Sequence, residues 1–257
     1  MNTFYALNAD ETKVIAWLSY DKRQIITYDE FDRYLPQNYK YKNKFISRLI
    51  RKKILNPIKR GVYNFVPMGS LATGITVGTN LLPKIYYPNM EYYIGYFNMF
   101  NFYGLTEQMP QTTFVINNLK SGEKVIDNFM FKFIKVKDEY IYGIVEQKYM
   151  NDIIKVSDKE RTMIDFVNRW NYQEAKKKLS AIIKENKCDV NKFIDYAVRY
   201  PTIKTRKLVG IILDEADISE KLSNPLLNSI QNSALISTSS YSREGKINKK
   251  WGVILNA

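Results

Sequence analysis

Between Tyr39 and Ile54 the chain sets polar and cationic side chains at helical spacing. Lys40, Asn43, Lys44, Ser47, Arg48 and Arg51 share one side of a helix, with Lys42 and Lys52 close by. Tyr41, Phe45, Ile46, Leu49 and Ile50 share the other side, which would bury against neighbouring helices. An apolar back with a front of Lys, Arg, Asn and Ser suits a DNA major groove. The cations pair with phosphates or with guanine O6 and N7, and the amide and hydroxyl read other base edges. Lys59 and Arg60 follow on a tight turn closed by Gly61, where a short basic tip can reach a minor groove or its flanking phosphates.

Nine Lys and Arg fall between Lys40 and Arg60, and no acid does. A charge run is ordinarily a solvated face. Here the second basic group, the absence of acids and the order of elements favour an anionic polymer as partner. The whole chain, 257 residues, carries 39 basic and 26 acidic side chains, a net +13. The excess is concentrated at the front. Residues 1–67 hold 13 basic and 6 acidic groups, and residues 68–257 hold 26 and 20.

Other chemistry is poorly supplied. The chain has no histidine, which removes imidazole bases, His-containing triads and His-ligated metals. Its one cysteine, Cys188, forms no disulfide framework and reads as a small hydrophobe. Asp158, Glu160 and Asp165 could suggest an acid–base pair, but Ser157 with Glu160 reads better as a capping box, and Arg161 as an ion-pair partner. Lys132, Lys135 and Lys137, with Arg199, Lys204, Arg206 and Lys207, form a candidate second basic surface. Lys132 alternates with Phe131 and Phe133, however, as the wet face of a half-buried strand should. The aromatics of 86–103 lack neighbouring cations and read as core. The expectation is therefore a protein that is not an enzyme, with no metal and no cofactor. No apolar run is long enough to span a membrane and the N-terminus lacks a signal-peptide core, so a soluble, cytoplasmic chain is expected.

The elements that must position the basic helix can be read in order. Asp10 would cap a helix to about Lys22, with Val14, Ile15, Trp17 and Leu18 as its apolar positions. Thr27 and Glu30 form a capping box for a short helix to Leu35, broken by Pro36, Gln37 and Asn38. The basic helix spans 39–54, and a hairpin, the wing, spans 55–66. Residues 68–83, uncharged and Gly-bearing, read as a linker, so the expected domains are 1–67 and 84–257. The larger one should open with a helix from Glu91 stopped by Gly104. Strands are expected at 112–116, 130–136, 141–145 and 153–156. A helix carrying the stripe Met163, Ile164, Val167 and Trp170 follows, then helices at 173–186, 189–199 and 203–215 and a final strand. Ser229–Ser242 is rich in Ser, Asn and Thr. The expected fold class is α+β: an N-terminal winged helix-turn-helix domain, then a larger α+β domain with a mostly antiparallel sheet and flanking helices.

Four segments carry a resemblance to a known family. LIRKKILNPIKRGVYNFVP, EYYIGYFNMFNFYGLTEQMP, VSDKERTMIDFV and GKINKKWGVILN occur in this order over most of the chain. Together they resemble the AbiE-type (abortive infection) antitoxins, transcriptional regulators of toxin–antitoxin pairs. The resemblance implies repression of an operon through operator repeats, with double-stranded DNA as partner, and half-site geometry allows a homodimer on that DNA. It also implies that the larger domain opposes a nucleotidyltransferase toxin without forming a stable complex. The alternative is a stand-alone winged-helix regulator whose larger domain senses a ligand or dimerises.

Overall fold

The computed structural model describes residues 6–35, 40–66, 79–87, 89–126, 129–149, 152–169, 171–239 and 243–256. The expected helix break at Pro36–Asn38, the helix start at Tyr39, residues 67–78 of the linker region, Trp170 and the end of the Ser-rich tract lie outside them. The fold is α+β. Contacts divide the chain into two compact units. One comprises Met1–Met90 with Lys124–Met130 and Glu146–Ile154, and the other Glu91–Glu123, Phe131–Val145 and Lys155–Ala257. Residues 84–90, expected in the second domain, group with the first unit.

The first unit begins with α1 (Ala9–Tyr20) and strand β1 (Ile25–Thr27). A 3-10 helix, Asp29–Arg33, is followed by α2 (Lys42–Arg51) and the hairpin β2 (Leu55–Lys59) and β3 (Val62–Phe65). The cap of α1 is Asn8 rather than Asp10: its side chain accepts from the Glu11 amide at 2.8 Å, and Glu11 accepts in return from the Asn8 amide at 3.0 Å. Thr27 and Glu30 make the expected reciprocal pair, at 2.8 and 3.3 Å. Helix α2 is shorter than its apolar spacing suggests. Lys53 takes φ 59° and the Ile54 amide turns back to Leu49 O, which ends the helix before the hairpin.

Strand β3 pairs antiparallel with both β1 and β2. Lys59 stands opposite Val62, so Arg60 and Gly61 alone form the hairpin turn. Gly61 has φ +74°, a region where a side chain is strained. Val14, Leu18, Ile26, Phe31, Phe45 and Leu49 meet in the core of this unit. Trp17, expected among the apolar positions of α1, is by contrast 48% exposed. A 3-10 turn, Thr79–Leu81, and a short helix α3 (Leu82–Tyr86) begin within the expected linker 68–83.

A six-stranded sheet has the order β6-β7-β5-β4-β9-β8. Its strands are β4 (Tyr92–Ile94), β5 (Thr112–Asn117), β6 (Gly122–Ile126), β7 (Phe129–Lys135), β8 (Ile144–Tyr149) and β9 (Asp152–Ser157). Residues 92–94, expected in a helix, form a strand because it pairs on both sides, antiparallel with β5 and parallel with β9. All three of its side chains are buried, so the segment reads as a continuous apolar run. The expected helix is confined to α4 (Phe97–Phe102), and Gly104 turns the chain at φ +67°.

The helical layer is α5 (Lys159–Arg169), α6 (Tyr172–Lys184), α7 (Val190–Arg199), α8 (Ile203–Glu215) and α9 (Glu220–Asn228). The last was not foreseen, because Pro225 argues against a helix interior. A small sheet, order β10-β12-β11, closes the chain with β10 (Ile236–Ser237), β11 (Lys246–Asn248) and β12 (Val253–Leu255). Phe100 stacks on Phe166 with ring centroids 4.2 Å apart. Trp251, fully buried, lies against α8 and donates from Nε1 to Asp214 at 2.6 Å. Among the described residues, no helix is long and apolar enough to cross a membrane.

The approach of Trp251 to α8 needs a glycine. A Cβ on Gly210 would sit 2.2 Å from the indole. Helix propensity alone would favour Gly210→Ala by about 1 kcal/mol. The overlap should reverse that sign and cost about 1–3 kcal/mol. Thermal denaturation should show a melting temperature several degrees below wild type; an unchanged or raised value would refute this packing.

Candidate nucleic-acid interface

Helix α2 buries Phe45, Ile46 and Leu49 and half-buries Ile50. Tyr41, expected on that buried side, is 61% exposed at the helix start, and the Lys44 ammonium lies 5.3 Å from its ring. The side chains expected at the front divide into two groups.

Three of them are held within the protein. Arg48 Nε donates to Glu11 Oε1 at 3.1 Å, and Lys52 Nζ to Glu11 Oε2 at 2.5 Å. Lys52 also donates to Ala6 O at 2.7 Å. Lys42 pairs with Asp32 at 2.8 Å and lies 4.0 Å from the Tyr28 ring centre. The other group is exposed: Lys40, Asn43, Lys44, Ser47 and Arg51. At the hairpin, Arg60 is exposed on the turn, and Lys59, also exposed, donates to Ile85 O. Tyr86 donates its hydroxyl to Ile58 O, so α3 leans on the hairpin.

Glu11 organises this arrangement. Its carboxylate is fully buried and accepts from the Asn8 amide, Arg48 and Lys52. Burial pushes its carboxyl up, but hydrogen bonds from Lys52, the Asn8 backbone and Arg48, with the Lys52 charge, outweigh that and hold it below the usual glutamate value. Glu30 behaves alike. Burial opposes its charge, and bonds from the Thr27 backbone and hydroxyl, followed by Arg23, lower its pKa. The Asn8-x-x-Glu11 box was the available sequence signal for Glu11. Its pairing with residues 37 and 41 positions away was not readable.

The acidic residues of 158–165 are also committed within the fold. Asp158 Oδ1 accepts from the Arg161 amide at 2.8 Å and is the cap of α5. The expected Ser157–Glu160 box is not formed: Ser157 bonds Thr162, and Glu160 accepts from the Asp189 amide at 3.0 Å. Arg161 and Asp165, both buried, pair at 2.8 Å, and Arg161 donates to Tyr93 at 2.8 Å. The guanidinium lies 4.5 Å from the Tyr142 ring centre. Of the candidate second basic surface, three members are engaged within the fold. Lys132 pairs with Glu123, Arg206 donates to Tyr200 O and Ser229 O, and Lys207 is buried.

The fold is similar to that of the RV2827C protein from Mycobacterium tuberculosis. The TM-score is 0.68 at 11% sequence identity, covering 97% of this chain and 92% of that one. No protein-family model and no curated protein sequence matches the chain.

The Glu11 anchor carries a stability prediction. Breaking a fully buried pair costs about 3–5 kcal/mol, but the Arg48 and Lys52 side chains keep 34% and 11% exposure. Glu11→Gln should therefore lose about 1–3 kcal/mol at pH 7. Because the folded carboxyl titrates below its unfolded value, its contribution is complete above the unfolded value and disappears as pH falls through the folded one. Urea denaturation should find the gap between wild type and variant closing as pH falls below the unfolded glutamate value. A gap that is constant with pH would exclude the carboxylate charge as its source.

Proposed function

We propose that this chain is a DNA-binding transcriptional repressor, reading operator DNA through α2 and the β2–β3 hairpin. The observation that carries the reading is the exposed front of α2. Once internal pairs are counted, Asn43, Lys44, Ser47 and Arg51 remain exposed on a helix whose other face is core. Two cations for phosphate or guanine and two neutral hydrogen-bonding groups suit a recognition helix. The order helix, strand, short helix, helix, hairpin supports a winged helix-turn-helix, with Arg60 at the wing tip. Arg48, Lys52 and Lys42 then orient α2 against α1 and the 3-10 helix, and any DNA contact they add is secondary.

The resemblance to AbiE-type antitoxins extends this reading. On it, the protein represses its own operon and its second unit opposes a nucleotidyltransferase toxin encoded beside it. The four matching segments support this, and two of them have clear structural work. VSDKERTMIDFV supplies the α5 cap and the buried Arg161–Asp165 pair. GKINKKWGVILN supplies Trp251 and the terminal sheet.

Gel shifts across a salt series test the DNA reading. Lys44→Ala and Arg51→Ala should each cost about 1–3 kcal/mol of specific binding where the side chain reads a base. Where it meets a phosphate, binding should weaken for all sequences and the salt slope should drop by about one. Wild-type binding by the double variant would eliminate α2 as the recognition helix. Charge reversal at Lys59 and Arg60 should lower affinity throughout while preserving the order of preferred sites. Co-expression with the neighbouring toxin tests the second role: wild type and the Lys44/Arg51 double variant should both relieve growth arrest. Failure of both would leave a regulator without antitoxin activity.

A further inference from the structure

The second unit contains a buried cation that, among the described residues, no acid pairs with. Lys207 lies in α8 and is 1% exposed, between core residues Thr205 and Leu208. Its Nζ donates to Ala234 O at 2.7 Å and to Gly252 O at 3.2 Å. An ammonium has three N–H groups, so the two carbonyls account for only two. Among the described residues no ion pair is formed by Lys207, and burial lowers its pKa. A buried ammonium without a counter-charge carries a large desolvation cost.

Lys207 lines a pocket of about 220 Å³ that Gln231, Ser233, Lys249 and Lys250 also line. Lys250 is already matched by Asp214 at 2.7 Å and Glu220 at 3.5 Å. Lys249 is exposed, and no ion pair is formed by it among the described residues. The pocket therefore presents two ammonium groups without an ion-pair partner among the described residues, one at its buried wall and one facing solvent, among neutral hydrogen-bonding side chains. Gly252, at φ +62°, allows the close approach, since a Cβ there would lie 2.9 Å from Lys207 Nζ. Lysines bind phosphate as point charges, whereas carboxylates are better matched by the planar fork of arginine.

We infer that this pocket binds a phosphate group, either as inorganic phosphate or as the monophosphate of a nucleotide, with Lys207 and Lys249 as its charge partners. The phosphate would occupy the third Lys207 donor and supply the missing negative charge. The inference is independent of the DNA-binding reading, because every residue in it belongs to the second unit.

Thermal melting of the full chain tests it, in inorganic phosphate against chloride at matched ionic strength, and separately with AMP. At about ten times Kd, phosphate should raise the melting temperature by about 3–6 °C. Lys249→Gln, at an exposed position, should weaken the apparent affinity at least fivefold, and a folded Lys207→Met should abolish the response. Lys44→Ala/Arg51→Ala should leave it within twofold, which separates this site from the basic helix. Equal affinities for phosphate and AMP would identify the free anion as the ligand, and a tenfold preference for AMP a nucleotide; both support the site. No phosphate-specific shift, or a shift that survives Lys249→Gln unchanged, would overturn it, leaving Lys207 as a brace between two backbone segments.

Discussion

The N-terminal unit depends on the buried carboxylate of Glu11. A charge removed from water is tolerated only when donors replace its hydration, and here a backbone amide, a guanidinium and an ammonium do so. Those donors come from the start of α1 and from successive turns of α2. The bond geometry therefore fixes how the two helices cross and which face of α2 turns outward. The buried carboxylate also neutralises part of the basic run, so the charge available to a partner is smaller and more localised than nine cations without an intervening acid imply.

The second unit meets the same constraint in two ways. Arg161 is buried with an acidic partner, Asp165, four residues on, a tyrosine hydroxyl and an aromatic face. That arrangement pairs the two charges inside one helix and engages Asp165 within the core. Lys207 is buried with carbonyl partners and, among the described residues, no carboxylate. The contrast is between a buried cation with a carboxylate partner and one for which, among the described residues, only carbonyl partners are found.

Helix packing adds a steric constraint. Trp251 fills the space that Gly210 leaves and anchors its Nε1 on Asp214, which also receives Lys250. The terminal hairpin is thereby tied to α8, and the same turn delivers the Gly252 carbonyl to Lys207. A short terminal sheet, too small to be stable alone, is held by the Trp251 indole, the buried Val253 and the ammonium groups of Lys207 and Lys250.

Composition and local spacing determined a good deal. The clustering of cations before residue 61, the apolar back of α2, the Thr27–Glu30 box, the Arg60–Gly61 turn and most of the helices of the second unit follow from side-chain period and capping chemistry, which act over a few residues. Tertiary structure decided what those rules cannot reach. Residues 92–94 became a strand because partners from 112–117 and 152–157 lie on either side of them. Glu160 left Ser157 for the Asp189 amide, and Asp158 became the cap. Arg48 and Lys52 turned from a presumed groove-facing set to a carboxylate some forty residues earlier, and Tyr41 turned outward. In each case two local choices were close in energy, and a contact distant in sequence, made strong by burial, selected one of them.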